Sequence, residues 1–271
     1  MSFTERNNSL VWQESIRLVM EMKDHWVEQY ARSSSSHFVL PDPREDILKL
    51  TLDVICGAGF GVKLPFKPTS KASIAHDAGL FRDAATPPPN YHFTFRSVME
   101  YMNLNMMSVF AANAFVPKWI PRAVLPIFKT ALAARDDLSS YLRALLSTAG
   151  MSETNKHNLL EGLVKSRRGN GNQQAGAAEA RSSHDPGLSD EEIRGNLYIF
   201  ILAGHETTAT TLRFALVLLA LHPNIQDELF EGIQEATSNE PLNPAEWDYT
   251  SVFPKLVGPL CVMVCRIVLF G

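Results

Sequence analysis

Residues 203–211 read AGHETTATT and sit inside an apolar run, with NLYIFIL before them and LRFALVLLALH after. A glycine (Gly204), an imidazole (His205), a carboxylate (Glu206) and four hydroxyls (Thr207, Thr208, Thr210, Thr211) therefore interrupt what is otherwise a hydrophobic helix. Glycine inside a helix costs about 1 kcal/mol against alanine, so Gly204 calls for a compensating benefit. One benefit is room: Ala203 and Gly204 leave a shallow face where a flat ligand can approach the backbone. Threonine hydroxyls can bond to carbonyls one turn earlier, which bends a helix and loosens its ladder. A buried Glu206 needs donors, which neighbouring hydroxyls and water can supply. The residues alone allow two readings: a ligand groove with an acid and an alcohol beside it, or a satisfied polar patch that bends the helix.

Other residue patterns suggest chemistry and fail on mechanics. His205-Glu206 resembles the start of a two-histidine zinc-protease motif, but the second imidazole is due at 209, where Ala209 stands. Cys56-Gly57-Ala58-Gly59-Phe60-Gly61 resembles a dinucleotide fingerprint. Its third glycine comes one place early, and Pro65 and Pro68 interrupt the helix that has to hold the pyrophosphate. Asp77 stands at the ribose-binding distance but does not replace that helix, and a helix end is the preferred reading. Met99, Met102 and Met106 form a stripe suited to core packing. His25, His76 and His92 have no partner pattern.

The element that must position AGHETTATT begins at Ser189-Asp190-Glu191-Glu192, a capping box with three acids at the positive end of the helix dipole. Pro223 stops it after His222, which predicts a long helix over 190–222, roughly 48 Å at 1.5 Å per residue. The stretch FALVLLAL (214–221) is apolar all round and is expected to be enclosed on every side. A membrane span is the alternative to a core helix, but Glu206 and Arg213 are costly in lipid.

Upstream, residues 10–32 place Trp12, Ile16, Val19 and Trp26 near helical spacing. PDPREDILKLTLDVICGAGFGV reads as a helix ending in glycines, and FRSVMEYMNLNMMSVFAANAF and IFKTALAARDDLSSYLRALLSTAG as two more. The prolines of TPPPN and VPKWIPRAVLP mark connectors. The Gly-, Gln-, Asn- and Ser-rich segment 167–187 reads as a flexible loop. No alternating strand is convincing, so the fold class is mainly α.

The chain has 271 residues, enough for one large domain with a sizeable core. A net charge of −4 gives no basic field, and no nucleic acid is expected as partner. Three cysteines, Cys56, Cys261 and Cys265, do not make a disulfide framework. The start, MSFTERNNSL, has no basic region followed by an apolar core, so no signal peptide is expected.

Ala-Gly-x-Glu-Thr-Thr, in a long helix capped by LSDEEI, resembles the central helix of cytochrome P-450 haem-thiolate monooxygenases of the eukaryotic microsomal type, with a fungal flavour. GNLYIFILAGHETTATTLRFALVLLALHPNIQDEL is similar to that helix continuing into the next. LTLDVICGAGFG resembles an earlier helix of the fold, and VFPKLVGPLCVM the approach to the helix that carries Glu-x-x-Arg.

The resemblance implies a partial P-450 fold, a haem cofactor, and insertion of one atom of O₂ into an apolar small-molecule substrate with electrons from an NADPH-dependent reductase. It implies that Ala203 and Gly204 make space over the iron. Thr207 would hydrogen-bond at the oxygen-binding face and Glu206, with water, would sustain proton supply, a general-acid role. Thr208 is expected to support the helix bend. Trp12 and Arg17 would meet the haem propionates, although they stand five apart where the family's pair stands four apart.

The departures are specific. The family's haem cysteine lies in Phe-x-x-Gly-x-x-x-Cys-x-Gly. Cys261 has Pro254 for the Phe and Val257 for the Gly, Cys265 has Ile267 for the last Gly, and Cys56 has Lys49 for the Phe. No residue here is therefore expected to ligate a metal. The Glu-x-x-Arg pair would fall at Cys265 and Val268. Residues 1–271 are read as one incomplete haem-monooxygenase domain, with sheet elements and haem-cysteine loop missing and 264–271 a non-native tail. Complete members sit at the endoplasmic reticulum membrane; without an anchor this chain is expected to be soluble and cytosolic, or unstable. The resulting expectation is a catalytically incomplete monooxygenase fragment, with a non-catalytic helical scaffold or interaction protein of that family as the alternative.

Overall fold

The computed structural model describes residues 5–30, 40, 42–67, 80–81, 86–105, 107–109, 128–151, 158–166, 187–256 and 258. Its α-helices include α1 (Glu5–Tyr30), α2 (Arg44–Val54), α3 (Phe95–Leu104), α4 (Lys129–Met151), α5 (Leu159–Lys165), α6 (Asp190–Leu221) and α7 (Pro223–Ala236). A π-helical turn, Ile55–Gly59, extends α2, and a 3₁₀ turn occupies Pro244–Glu246. Among the described residues there is no strand; one isolated bridge at Leu188 sends its N–H to the Ser166 carbonyl at 2.6 Å. The mainly α architecture holds. The chain falls into two units, one of Phe3–Ala58 with Gly204–Gly271 and one of Gly59–Ala203, and the boundary lies inside α6.

In the first unit α1 packs on α2. The buried stripe of α1 is Glu14, Leu18 and Met22, one turn apart, whereas Val19 is exposed. The helical spacing of Trp12, Ile16, Val19 and Trp26 falls within α1, and the buried stripe beside it includes a carboxylate, Glu14. On α2, Ile47, Leu50 and Leu52 are buried, and the Trp26 indole N–H donates to Asp46 Oδ2 at 2.7 Å. The chain after Ile55 keeps helical form through Phe60 and leaves it at Gly61, whose φ of 72° suits a residue without a side chain. No helix starts after that glycine within 61–67, so nothing there offers amides to a phosphate.

The second unit is built on α3, α4 and α5. Val98, Met99 and Met102 are buried on α3 as core, while Met106 lies outside the described residues. Thr94 caps α3 by accepting from Ser97 N–H. The preceding segment is pinned to α4. Buried Asp137 accepts from the His92 and Phe93 amides at 2.6 and 2.9 Å, and Tyr141 donates to the Phe93 carbonyl at 2.9 Å. His92, which has no partner in sequence spacing, thus meets one through the fold, its ring Nδ1 also lying 3.4 Å from Asp137.

The Ser189 cap is present in full: Ser189 N–H and Oγ each lie 2.7 Å from Glu192 Oε2, and Glu192 N–H reaches Ser189 Oγ at 3.3 Å. Pro223 ends α6 at Leu221 and opens α7. The loop expected at 167–187 lies outside the described residues except for Gly187, and the tail at 264–271 lies wholly outside them. Among the described residues, no helix is long and apolar enough to cross a membrane.

Candidate active site

The polar centre of α6 is divided between two faces of one helix. Ile193, Leu197, Ile201, His205 and Ala209 succeed one another every fourth residue, and all are buried. Ile199, Ala203, Thr207 and Thr211 follow the same spacing on another side, and all are exposed. Positions four apart lie one above the other on a helix, so Ala203 puts a methyl and Thr207 a hydroxyl on the same open strip. Glu206 is partly exposed beside it, and Thr208 is exposed. Of the four threonines, Thr211 shows the back-bond directly, its hydroxyl donating to the Thr207 carbonyl at 2.8 Å.

Gly204 does not open onto that strip. A Cβ placed on it would lie 3.1 Å from Cδ1 and 3.9 Å from Cγ1 of Ile55, on the π-helical turn. The room that sequence reasoning gave to Ala203 and Gly204 jointly is therefore on the Ala203 side, because an isoleucine already stands beside Gly204. Ile55 carries no signal in the sequence: an apolar residue in an apolar run gives no hint of a glycine 149 residues away.

The enclosure expected for 214–221 is absent. Phe214 is 66 % exposed, Val217 57 % and Leu221 68 %. An all-round apolar helix is enclosed only where other elements reach it, and at these residues none of the described elements does.

Trp12 and Arg17, both on α1, are not brought together. Residues five apart lie about 140° apart around a helix. Trp12 packs against Tyr249 and Phe253, with ring centroids 6.1 and 6.0 Å away, and its indole N–H is buried without a hydrogen-bond partner. Arg17 is held by Glu14 Oε2 (Nε at 3.0 Å, Nη2 at 2.7 Å) and by Glu21 Oε1 (Nη1 at 2.7 Å). Burial alone would lower the guanidinium pKa; the Glu14 hydrogen bond and charge, then Glu21, outweigh it and hold the pKa above its ordinary value. A second structural glycine belongs to this cluster. A Cβ on Gly57 would lie 2.7 Å from Glu14 Oε2 and 2.9 Å from its Cδ.

Cys56 is fully enclosed, and burial, followed by the charge of Asp53, pushes its thiol well above the usual range. It is a packed thiol, not a ready thiolate ligand. Cys261 and Cys265 lie outside the described residues. Among the described residues no group of three His, Cys, Asp or Glu side chains is placed to hold a metal ion.

The family model for cytochrome P450 matches residues 2–250. The chain belongs to the cytochrome P450 family. Among curated proteins, this P450 chain is 29 % identical over 261 residues to a cytochrome P450 monooxygenase of Arthrobotrys oligospora, covering 94 % of this chain and 41 % of that one. It is 27 % identical to cytochrome P450 monooxygenase 124 of Postia placenta, covering 89 % and 40 %. A shorter match, 46 % over 70 residues, relates it to mouse cytochrome P450 3A13. Among solved structures, the fold is similar to the cytochrome P450 CYP102L1, with a TM-score of 0.63 at 15 % identity, over 98 % of this chain and 50 % of that chain. The P450 chain thus spans about two-fifths of the length of the fungal relatives it matches.

The open strip of α6 suits a flat apolar cofactor such as the haem this family implies. Ala203 projects one methyl, Thr207 one hydroxyl, and Ile199, 58 % exposed, stands one turn before them. In the sequence, none of Cys56, Cys261 and Cys265 has the family's flanking Phe and glycines.

Proposed function

We propose that this P450 chain carries the oxygen-facing half of a haem monooxygenase site and not the thiolate half. As it stands, it neither holds haem tightly nor turns over. The observation that carries the reading is the pairing of Ala203 and Thr207 one turn apart on the open strip of α6, with Glu206 beside them.

Haem, when bound, supplies the oxygen-activating and one-electron chemistry of the family. The chain's own residues have three tasks. Ala203 would keep the strip shallow enough for a planar group to approach it. The Thr207 hydroxyl would offer a hydrogen-bond donor on that strip, and Thr208 with Thr211 would support the turn that carries it. The Glu206 carboxyl, partly exposed and within reach of water, would sustain proton supply to the Thr207 hydroxyl. The buried, unpartnered N–H of Trp12 suits a propionate acceptor. Arg17 suits one less, because a propionate would have to displace Glu14 or Glu21.

The complete protein would insert one oxygen atom from O₂ into an apolar small molecule, drawing electrons from an NADPH-dependent reductase at the endoplasmic reticulum membrane. The test is expression with a haem precursor, followed by reduction and addition of carbon monoxide. The expected result is no shifted absorbance band of thiolate-ligated haem; its appearance at stoichiometric haem overturns the proposed incompleteness. A non-catalytic scaffold is the second reading, favoured by the exposed Phe214, Val217 and Leu221, and a defined protein partner captured by a cooperatively folding chain would support it.

A further inference from the structure

We propose that Ile55 is the positioning residue for the polar centre of α6: it takes the place of the side chain Gly204 lacks and fixes the rotation at which the helix presents Ala203 and Thr207. Two independent placements support this. Around the helix, Gly204 lies about 60° from Thr207 on one side and about 60° from Ile201 on the other, between the open and the buried strips. A wedge at that border sets how far the helix turns. The wedge is itself held, since Ile55 opens the π-helical turn whose Gly57 meets Glu14, and Glu14 is gripped by Arg17. π-helical structure occurs mostly as single turns of this kind, frequently at functional sites.

The inference rests on the proposed function only in giving the Ala203–Thr207 strip an oxygen-facing role; the Ile55–Gly204 fit is tested without haem. Hydrogen–deuterium exchange of the full chain, read over residues 201–211, reports the local stability of the turn. In a helix with nothing nearby, Gly204→Ala slows exchange about fivefold through helix propensity. Here the new methyl meets Ile55 Cδ1, and exchange over 201–211 is expected to be about tenfold faster instead. Ile55→Val deletes Cδ1 alone, and in the Gly204→Ala background it is expected to restore exchange to within about twofold of the parent. The change is expected to centre on 201–211 and on the turn 55–59 that carries Ile55, whereas a general loss of stability would raise exchange along the whole of α1 as well.

Slower exchange in Gly204→Ala, or no rescue by Ile55→Val, overturns the proposal. If Gly204→Ala loses the helical circular-dichroism signal, its recovery in Gly204→Ala/Ile55→Val supports the proposal and its continued loss overturns it. A carbon monoxide band at the haem test leaves the Ile55 result untouched, so the two ideas fail separately.

Discussion

Glycine at 57 and at 162 shows how one residue type answers to different neighbours. Gly57 lies under Glu14, with no room for a methyl; Gly162, on the exposed side of α5, has nothing within 4 Å of where its Cβ would be. Gly57→Ala has to move a carboxylate that Arg17 pins at 2.7 Å, and overpacking of this kind costs about 2 kcal/mol. Gly162→Ala meets no obstacle and gains helix propensity, about 0.5–1 kcal/mol. Urea midpoints of the two variants are therefore expected to move in opposite directions, and a stabilised Gly57→Ala would refute the Glu14 contact. At this scale the sequence was informative about chemistry and silent about neighbours. The acid and hydroxyls of AGHETTATT stood out by type, and so did the oddity of Gly204. Ile55, Glu14 and Gly57 did not, because their roles exist only once distant segments meet.

Helix α4 is the element through which the second unit is tied together, and the tie has a pH signature. Tyr141 is wholly buried among Phe81, Tyr91 and Phe95 and donates to the Phe93 carbonyl. Burial first, then the charges of Tyr91 and Asp137, raise its phenol above the ordinary value of 10.0. A phenol that keeps its proton in the folded state and loses it in the unfolded one favours unfolding as pH rises. The contribution of Tyr141 to stability is therefore level below about pH 10, and stability is expected to fall above it. Tyr141→Phe loses the Phe93 hydrogen bond and is expected to be about 1 kcal/mol less stable at pH 7. It also loses much of the alkaline decline, so its deficit shrinks above pH 10. Urea unfolding at both pH values checks this, and an unchanged deficit would show that Tyr141 does not carry the linkage. Elements themselves were well announced: the capping box at Ser189, Pro223 and the last of the glycines after Cys56, Gly61, all mark real helix ends, because such signals act within one turn of backbone. Which face each helix buries was less legible, as α1 shows, because a paired carboxylate can occupy a core position that apolar spacing alone reserves for a hydrophobe.

For the whole molecule, the long helix raises a question of cover. Its stretch 214–221 has no charged residue, yet Phe214, Val217 and Leu221 stand exposed on it, and Phe230 is 59 % exposed on α7. Residues at i, i+3 and i+7 share one helix face, so these three form a continuous apolar strip rather than scattered surface hydrophobes. Water at such a strip is released when a second apolar surface covers it, at roughly 25 cal/mol per Å². The chain spans about two-fifths of the length of its fungal P450 relatives, and none of its described elements covers the strip. Self-association is the expected consequence, and it separates the charge and composition of the chain, which read as those of an ordinary soluble domain, from what its surface does. Phe214→Lys with Val217→Glu removes two of the three apolar side chains without touching the buried stripe of Ile201, His205 and Ala209. Sedimentation velocity across a concentration series is expected to show the parent chain growing in mass with concentration and the double variant shifted toward monomer, with helical content unchanged. A parent chain that stays monomeric at every concentration would mean that the strip is covered in solution, and the enclosure read from the sequence would then be right after all.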